Sequence, residues 1–475
     1  MKRQVCRLAV LASVVIALLL PQAASAELRF VSETIDSLPS SGRFYPSLAL
    51  DSGGRPHVSY LAVGSGAALK YASKTSNAWT IETVAPSADW GAYTTVALDG
   101  RGEPRILYHS PDGFVKCATR TAGAWTFETV GAGRYGSLAL SPEGSPHVAY
   151  AGNGGIQYAR KSNGIWLTEA VDVENTGLSH CRIGLGPQGD VHIAYWDYEY
   201  SWEQDLIRYA RRQGGSWFRE VATDLQYLDE DLSLAIDEEG SPHITYANRL
   251  FEGPTLASYL RRTDAGWIRE GFDSPYRGYS YAGMGSSVAI DAHGRPCVTY
   301  GFAGVFGPNE FRYRKRLPSG DWTTPETVDT RDGGGYWATS IALDRAGTVN
   351  AIYRTAGVLK FARRVWVAVP VPEESLAKKE SATAAGEPLT LWVAPNPTSS
   401  EVEIRYRSGN ASEALIDVVD VQGRRVFRAV SNAGGADRVR WRTTDDLGRR
   451  IASGVYYVSV RANGVTATTK LVVTR

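Results

Sequence analysis

The chain has 475 residues, more than one ordinary hydrophobic core accommodates. Its 13 Trp, 25 Tyr and 49 Gly favour strands and tight turns over helices. A formal net charge of +1 argues against a global field that would steer it to nucleic acid or to an anionic membrane.

At the N-terminus, Lys2, Arg3 and Arg7 precede an apolar run at 9–20 that is too short to span a bilayer. Ala24-Ser25-Ala26 then offers an A-x-A cleavage site. This predicts a signal peptide over 1–26 and a mature chain from about Glu27. No cysteine stands directly after the site, so no lipid anchor is expected, and no later run is long and apolar enough for a membrane helix. Cys6 leaves with the leader. Cys117, Cys181 and Cys297 fall in different repeats and are expected as small buried apolar residues, without a disulfide or metal framework.

From residue 28 the chain reads as strands. LRFVSETID at 28–36 has the pattern of an outer strand standing ahead of its own repeat. One segment then recurs seven times: SLALDSGGRPHVSY at 47–60, and again from 95, 137, 182, 233, 287 and 340. Its eighth position is always glycine, as a tight hairpin requires at positive φ. Its third position is always Ala or Gly, as strands crowded around an axis require. Its last position is always tyrosine, from Tyr60 to Tyr353. A third strand (LKYASK at 69–74, IRYARR at 207–212) and a fourth opening on Trp79, Trp125, Trp166, Trp217, Trp267 or Trp322 complete each unit. Period and alternation predict an all-β fold, a seven-bladed β-propeller over 27–368, with the N-terminal strand completing the last blade. The repeat is similar to those of secreted bacterial propellers and lacks the sialidase Asp box.

Residues 369–388 are rich in Pro, Ala, Glu and Lys and are expected as a linker. Residues 389–475 carry about seven short alternating runs, which predicts a C-terminal Ig-like β-sandwich. The ordered strings APNPTSSEVEIRY (394–406), LIDVVDVQGRRV (415–426) and DDLGRRIASGVYYVSV (445–460), with a terminal KLVV, resemble the type A sorting domain of type IX secretion substrates and the Ig-like domain of the flagellar hook-capping protein. Thr398 stands where that family commonly has phenylalanine. The resemblance implies delivery through outer-membrane export machinery to the medium or the outer surface of a Gram-negative-type bacterium.

No residue is singled out as catalytic. His57, His147, His192 and His243 share one repeat position, but equivalent positions in separate blades diverge too far to converge on a metal. The repeated Asp (Asp51, Asp99, Asp237, Asp291, Asp344) is expected to hold its hairpin turn. A basic residue closing each third strand, from Lys74 to Arg364, is expected at a solvated rim. Binding is expected in the variable loops on one face. The candidates are Trp196, Tyr198, Tyr200, Trp202 and Asp205 in WDYEYSWEQD, with Trp90, Tyr336 and Trp337 between blades. Aromatics beside carboxylates suit a glycan, and a surface protein is the other candidate partner. The alternatives are a glycosidase or lyase using loop carboxylates, or a rigid surface element without a pocket. No cofactor is implied; acids at 229–231 leave calcium open.

Overall fold

The computed structural model describes residues 24–370 and 389–474, apart from short stretches at 39–44, 64–66, 76–77, 89–92, 174–179, 199–204, 226, 251–252, 275–280, 304–308, 332–337, 356, 408–412, 421–424, 432–435, 446–448 and 463–464. The expected leader up to residue 23, and the expected linker from 371, lie outside the described residues. Every element among the described residues is a strand, and the chain divides into two compact units, Arg29–Val365 and one containing Trp366–Arg475.

In the first unit each repeat forms an antiparallel four-stranded meander. The first is β2 (Ser47–Leu50), β3 (Pro56–Val63), β4 (Ala67–Thr75) and β5 (Ala78–Ala85), hydrogen-bonded in that order. The fourth is β13 (Cys181–Leu185), β14 (Val191–Tyr198), β15 (Asp205–Gln213) and β16 (Ser216–Leu225). The long strand β9 (Ala124–Leu140) closes the second meander and opens the third, so those two run as one seven-stranded sheet. The last meander is completed from the other end of the chain: β1 (Ala24–Ser37) pairs with β27 (Val358–Pro370).

The hairpin after each first strand is built by the repeat's own chemistry. Gly54 takes φ 74°, its amide donates to Asp51 O at 2.9 Å, and Asp51 Oδ1 accepts the Gly53 and Arg55 amides at 2.9 Å each. The equivalent glycine is left-handed in every copy. The repeated aspartate is therefore a turn residue where it occurs, because it satisfies amides that the bend leaves unpaired. The small third position is explained by crowding: a Cβ on Gly184 would lie 2.7 Å from Ile236 Cγ1 of the next meander.

Neighbouring meanders are joined by a recurring contact that periodicity does not reveal. Glu82 accepts Arg120 at 3.0 Å and the Trp125 indole N–H at 3.1 Å, both from the following meander. Glu33, Glu128 and Glu169 hold Lys74 with Trp79, Lys161 with Trp166, and Arg212 with Trp217. Glu220, Glu270 and Glu326 hold Arg262, Arg316 and Arg364. The basic residues expected at a solvated rim are instead mostly half-buried between meanders, where the aliphatic stem packs and the charge is paired. Within a meander, His243 Nδ1 meets Tyr259 OH at 2.5 Å and His243 Nε2 meets Asp237 at 3.0 Å. The repeated histidine is a packing residue there, kept neutral by burial. The three later cysteines are free and buried, and burial raises the Cys117 thiol to about 11 and the Cys181 thiol to about 12.

The second unit packs a three-stranded sheet, β28 (Thr390–Ala394), β29 (Val402–Arg407) and β32 (Ala436–Trp441), against a four-stranded one. The latter runs β31 (Arg425–Ser431), β30 (Ala414–Asp420), β33 (Gly454–Ala462), β34 (Val465–Val473). Alternate residues Val402, Ile404 and Tyr406 meet Ile416, Val418, Val458 and Val460 in one core with Trp441. Asn396 anchors the PNP turn to the last strand: its Nδ2 donates to Lys470 O at 2.7 Å and its Oδ1 accepts the Val472 amide at 2.8 Å. Thr398, the departure from the family pattern, is buried and donates through Oγ1 to Glu401 O at 2.6 Å.

Candidate functional site

The first position of the repeat is Ser47, Thr95, Ser137, Arg182, Ser233, Ser287 and Ser340 in turn, and all seven line one cavity of about 210 Å³. Their hydroxyls also bind one meander to the next. Ser47 Oγ accepts the Val96 amide at 3.1 Å, Ser233 accepts Val288 at 3.2 Å, and Ser287 accepts Ile341 at 3.2 Å. Ser340 Oγ accepts Leu48 N at 3.1 Å, which ties the seventh copy to the first.

The fourth copy breaks the pattern. Arg182 replaces the hydroxyl, and its guanidinium carbon lies 4.6 Å over the Tyr93 ring. Tyr45 stacks on Tyr93 with ring centroids 3.8 Å apart and planes 12° from parallel. Tyr93 OH meets His180 Nδ1 at 3.2 Å, and Tyr135 packs edge-on against His180 at 4.2 Å. These residues share an origin: Tyr45, Tyr93, Tyr135 and His180 each stand two places before the repeat. In the fifth, sixth and seventh copies that place holds Asp231, Gly285 and Ala338. The first four copies thus gather aromatic rings beside the cavity.

The aromatic side is held under strain. Tyr135 takes φ 57°, a left-handed conformation that a bulky residue adopts at a cost. Its neighbour Gly136 donates to His109 Nε2 at 3.1 Å, and Cys181 Sγ contacts Tyr135 O at 3.2 Å. Burial, with Arg134 adding to it, pulls His109 down to about 3, so its ring is neutral and accepts this bond.

Of the residues expected at the site, Trp196 and Asp205 are buried, at 9% and 6% exposure. Trp196 packs among Ile207, Tyr209, Leu232 and Tyr246, and its ring lies 6.1 Å from His180. Asp205 faces Tyr198 across the β14–β15 ladder. Trp196 and Asp205 are therefore packed rather than displayed. The side chain of Tyr198, and Tyr200, Trp202, Trp90, Tyr336 and Trp337, lie outside the described residues, as do the side chains at 229–231. Tyr93 and Tyr135 are aromatics between the repeats, like the expected Trp90. Tyr45, His109, His180 and Arg182 were missed, and comparing the copies two residues further upstream would have found two of them, Tyr45 and His180. Among the described residues no His, Cys, Asp and Glu group gathers as a metal site, and no helix is long and apolar enough to cross a membrane.

Fold and tail together define an all-β protein destined for secretion or the cell surface. Residues 392–474 match the family of the secretion system C-terminal sorting domain. Among solved structures, the chain is similar to the BP39L lectin from Burkholderia pseudomallei at 12% identity, over 70% of this chain and 98% of that one, with a TM-score of 0.51. That likeness speaks to the fold alone. An ulvan lyase of polysaccharide lyase family PL25 is similar at 12% identity, over 71% and 95%, with a TM-score of 0.49. PorZ, a surface component of the type-IX secretion system of Porphyromonas gingivalis, is similar at 13% identity, over 93% of this chain and 60% of PorZ, with a TM-score of 0.43. No curated protein matches the sequence.

Proposed function

We propose that the chain is a seven-bladed β-propeller, closed by its N-terminal strand, that binds a glycan at its channel mouth and is exported through a C-terminal Ig-like sorting domain. One observation carries the binding reading: the equivalent positions of all seven repeats line a single hydroxyl-rich cavity beside an aromatic wall. Saccharides are bound by such mixtures of apolar faces and polar donors. The seven-bladed reading is supported by the contact from Leu48 to Ser340 and by Glu33 on β1 reaching Lys74 of the first meander. The match at 392–474 supports export by the type IX route in a Bacteroidetes-type bacterium.

A second reading is a lyase. It is favoured by the Tyr93–His180 hydrogen bond beside Arg182, since proton abstraction next to an acid group needs a base and a cation in reach. An acid pair of the glycosidase kind is absent from the described lining. The test is a polysaccharide screen with the full chain, reading binding and ultraviolet absorbance of unsaturated products together. Binding without new absorbance is expected. Product formation would make the protein a lyase, and silence toward every glycan would move the role to a protein partner. In the parent bacterium, deleting 392–474 should abolish surface display.

A further inference from the structure

Building on the glycan reading, we infer that a bulge in β21 (Tyr281–Ile290) makes a recess off the cavity for the hydroxymethyl group of an uncharged hexose, held between Ser286 and Thr245. The repeat prepares this place. At three junctions the next-to-last residue of one copy and the residue just before the next copy both carry hydroxyls. Two of these pairs close on each other: Ser59 Oγ meets Thr94 Oγ1 at 2.8 Å, and Thr299 Oγ1 meets Thr339 Oγ1 at 3.1 Å. The third pair, Thr245 and Ser286, does not. Thr245 is 0% exposed and Ser286 3%, and neither hydroxyl has a partner among the described residues. Buried hydroxyls left so are destabilising, and a ligand oxygen between them would satisfy both.

Local structure keeps this pair apart. Between Ala282 and Ser287 the pairing of β21 with β22 (Pro296–Ala303) slips twice. Gly283 and Gly285 there take φ 96° and 59°, which favour glycine. A Cβ on Gly283 would lie 2.8 Å from Ala257 Cα in β19 (Thr255–Thr263), and Gly285 O accepts Thr339 Oγ1 at 2.6 Å. Bulges re-aim side chains in this way beside functional sites. Ser286 lines the cavity, where the other two hydroxyls of its kind, Thr94 and Thr339, are committed to their partners. A third orphan, Thr255 Oγ1, is 1% exposed; it shares with Thr245 and Ala257 one face of the ladder between β18 (Pro242–Arg249) and β19. Each hydroxyl both donates and accepts, so the pair complements another hydroxyl, whereas an oxyanion only accepts. Because the orphans are recessed, the group that meets them must project from the sugar ring, as an exocyclic hydroxymethyl does. The cavity has room for the ring: one water needs about 10–15 Å³ by this measure, and the cavity has about 210 Å³.

The test is saturation-transfer NMR on the full chain with glucose, galactose and mannose, each beside its 6-deoxy form. At least one hexose is expected to bind about tenfold more tightly than its 6-deoxy form, because the analogue leaves the buried hydroxyls unpaired. Thr245→Val, which keeps the shape and removes the hydroxyl, should abolish that preference at unchanged Tm. If Thr245→Val does not fold, Ser286→Ala should abolish it instead. Equal binding of each hexose and its 6-deoxy form would overturn the inference and leave the glycan reading standing. So would a preference that survives either variant, and so would silence of every sugar here beside a polysaccharide that binds in the wider screen. Failure of every sugar here and of every glycan in the wider screen would overturn both.

Discussion

Leu48 and Ser340 are 292 positions apart, yet the Leu48 amide donates to Ser340 Oγ across 3.1 Å. The same bond joins Val96 to Ser47 and Ile341 to Ser287 between successive repeats. A contact made by consecutive copies is thus also made by the last and the first. Ser340→Ala would leave the Leu48 amide without this acceptor, at a cost of about 1–3 kcal/mol. Urea unfolding should show that loss with an unchanged m-value. A loss below 0.5 kcal/mol would mean that the closing contact contributes no more than an exposed one.

Glu169 receives both Arg212 and the Trp217 indole N–H, the latter at 3.0 Å. Each bond to a carboxylate is charge-assisted, but the group remains partly solvated, so Glu169→Gln should cost about 1 kcal/mol. The deficit should shrink in 1 M salt, where the screening length falls to about 3 Å. A salt-independent deficit would assign the effect to packing. Arg212→Met retains the stem over Tyr158 and should lose only the charge component.

What the sequence disclosed and what it hid divide along a physical line. The Asp51–Gly54 turn was legible because its chemistry is contained in five residues and repeated. The place of β1 was legible because its string resembles other fourth strands. Arg212 was read as solvated because its partner Glu169 lies 43 positions away on another meander, and the register between meanders leaves no periodic trace. Trp196 was read as displayed because aromatics alternating with acids look alike in a loop and in a strand end. The aromatic wall was hidden by its placement just outside the repeat, where the copies diverge.

Trp196 is buried against Ile207, Leu232 and Tyr246, so its truncation should act on the fold. Trp196→Ala should cost about 3–5 kcal/mol, the range for removing a buried aromatic. The urea midpoint measures this, and full stability in the variant would show that the side chain leaves its cluster in solution. Since Trp196 also lies near His180, any loss of ligand in this variant must be judged at matched stability.

Acid should destabilise the protein well before its carboxylates titrate. Burial, with Arg134 adding to it, pulls His109 down to about 3, and burial also lowers His57, His147, His192 and His243. In the unfolded chain these rings titrate near 6.5. Below that pH the unfolded state takes up protons that the folded state refuses, so stability is fully present above 6.5 and falls as pH drops. His109 alone should contribute a loss of about 2 kcal/mol between pH 7.5 and pH 5. The aspartates held low, Asp51, Asp291 and Asp329, add their share only as pH approaches their ordinary range near 4. The window from 6.5 to 5 therefore reports histidines. His109→Gln can still accept the Gly136 amide but cannot titrate, and it should flatten the slope of urea midpoint against pH in that window. A wild-type midpoint constant from pH 7.5 to 5, or a parallel slope in His109→Gln, would show that His109 is hydrated and protonates in place.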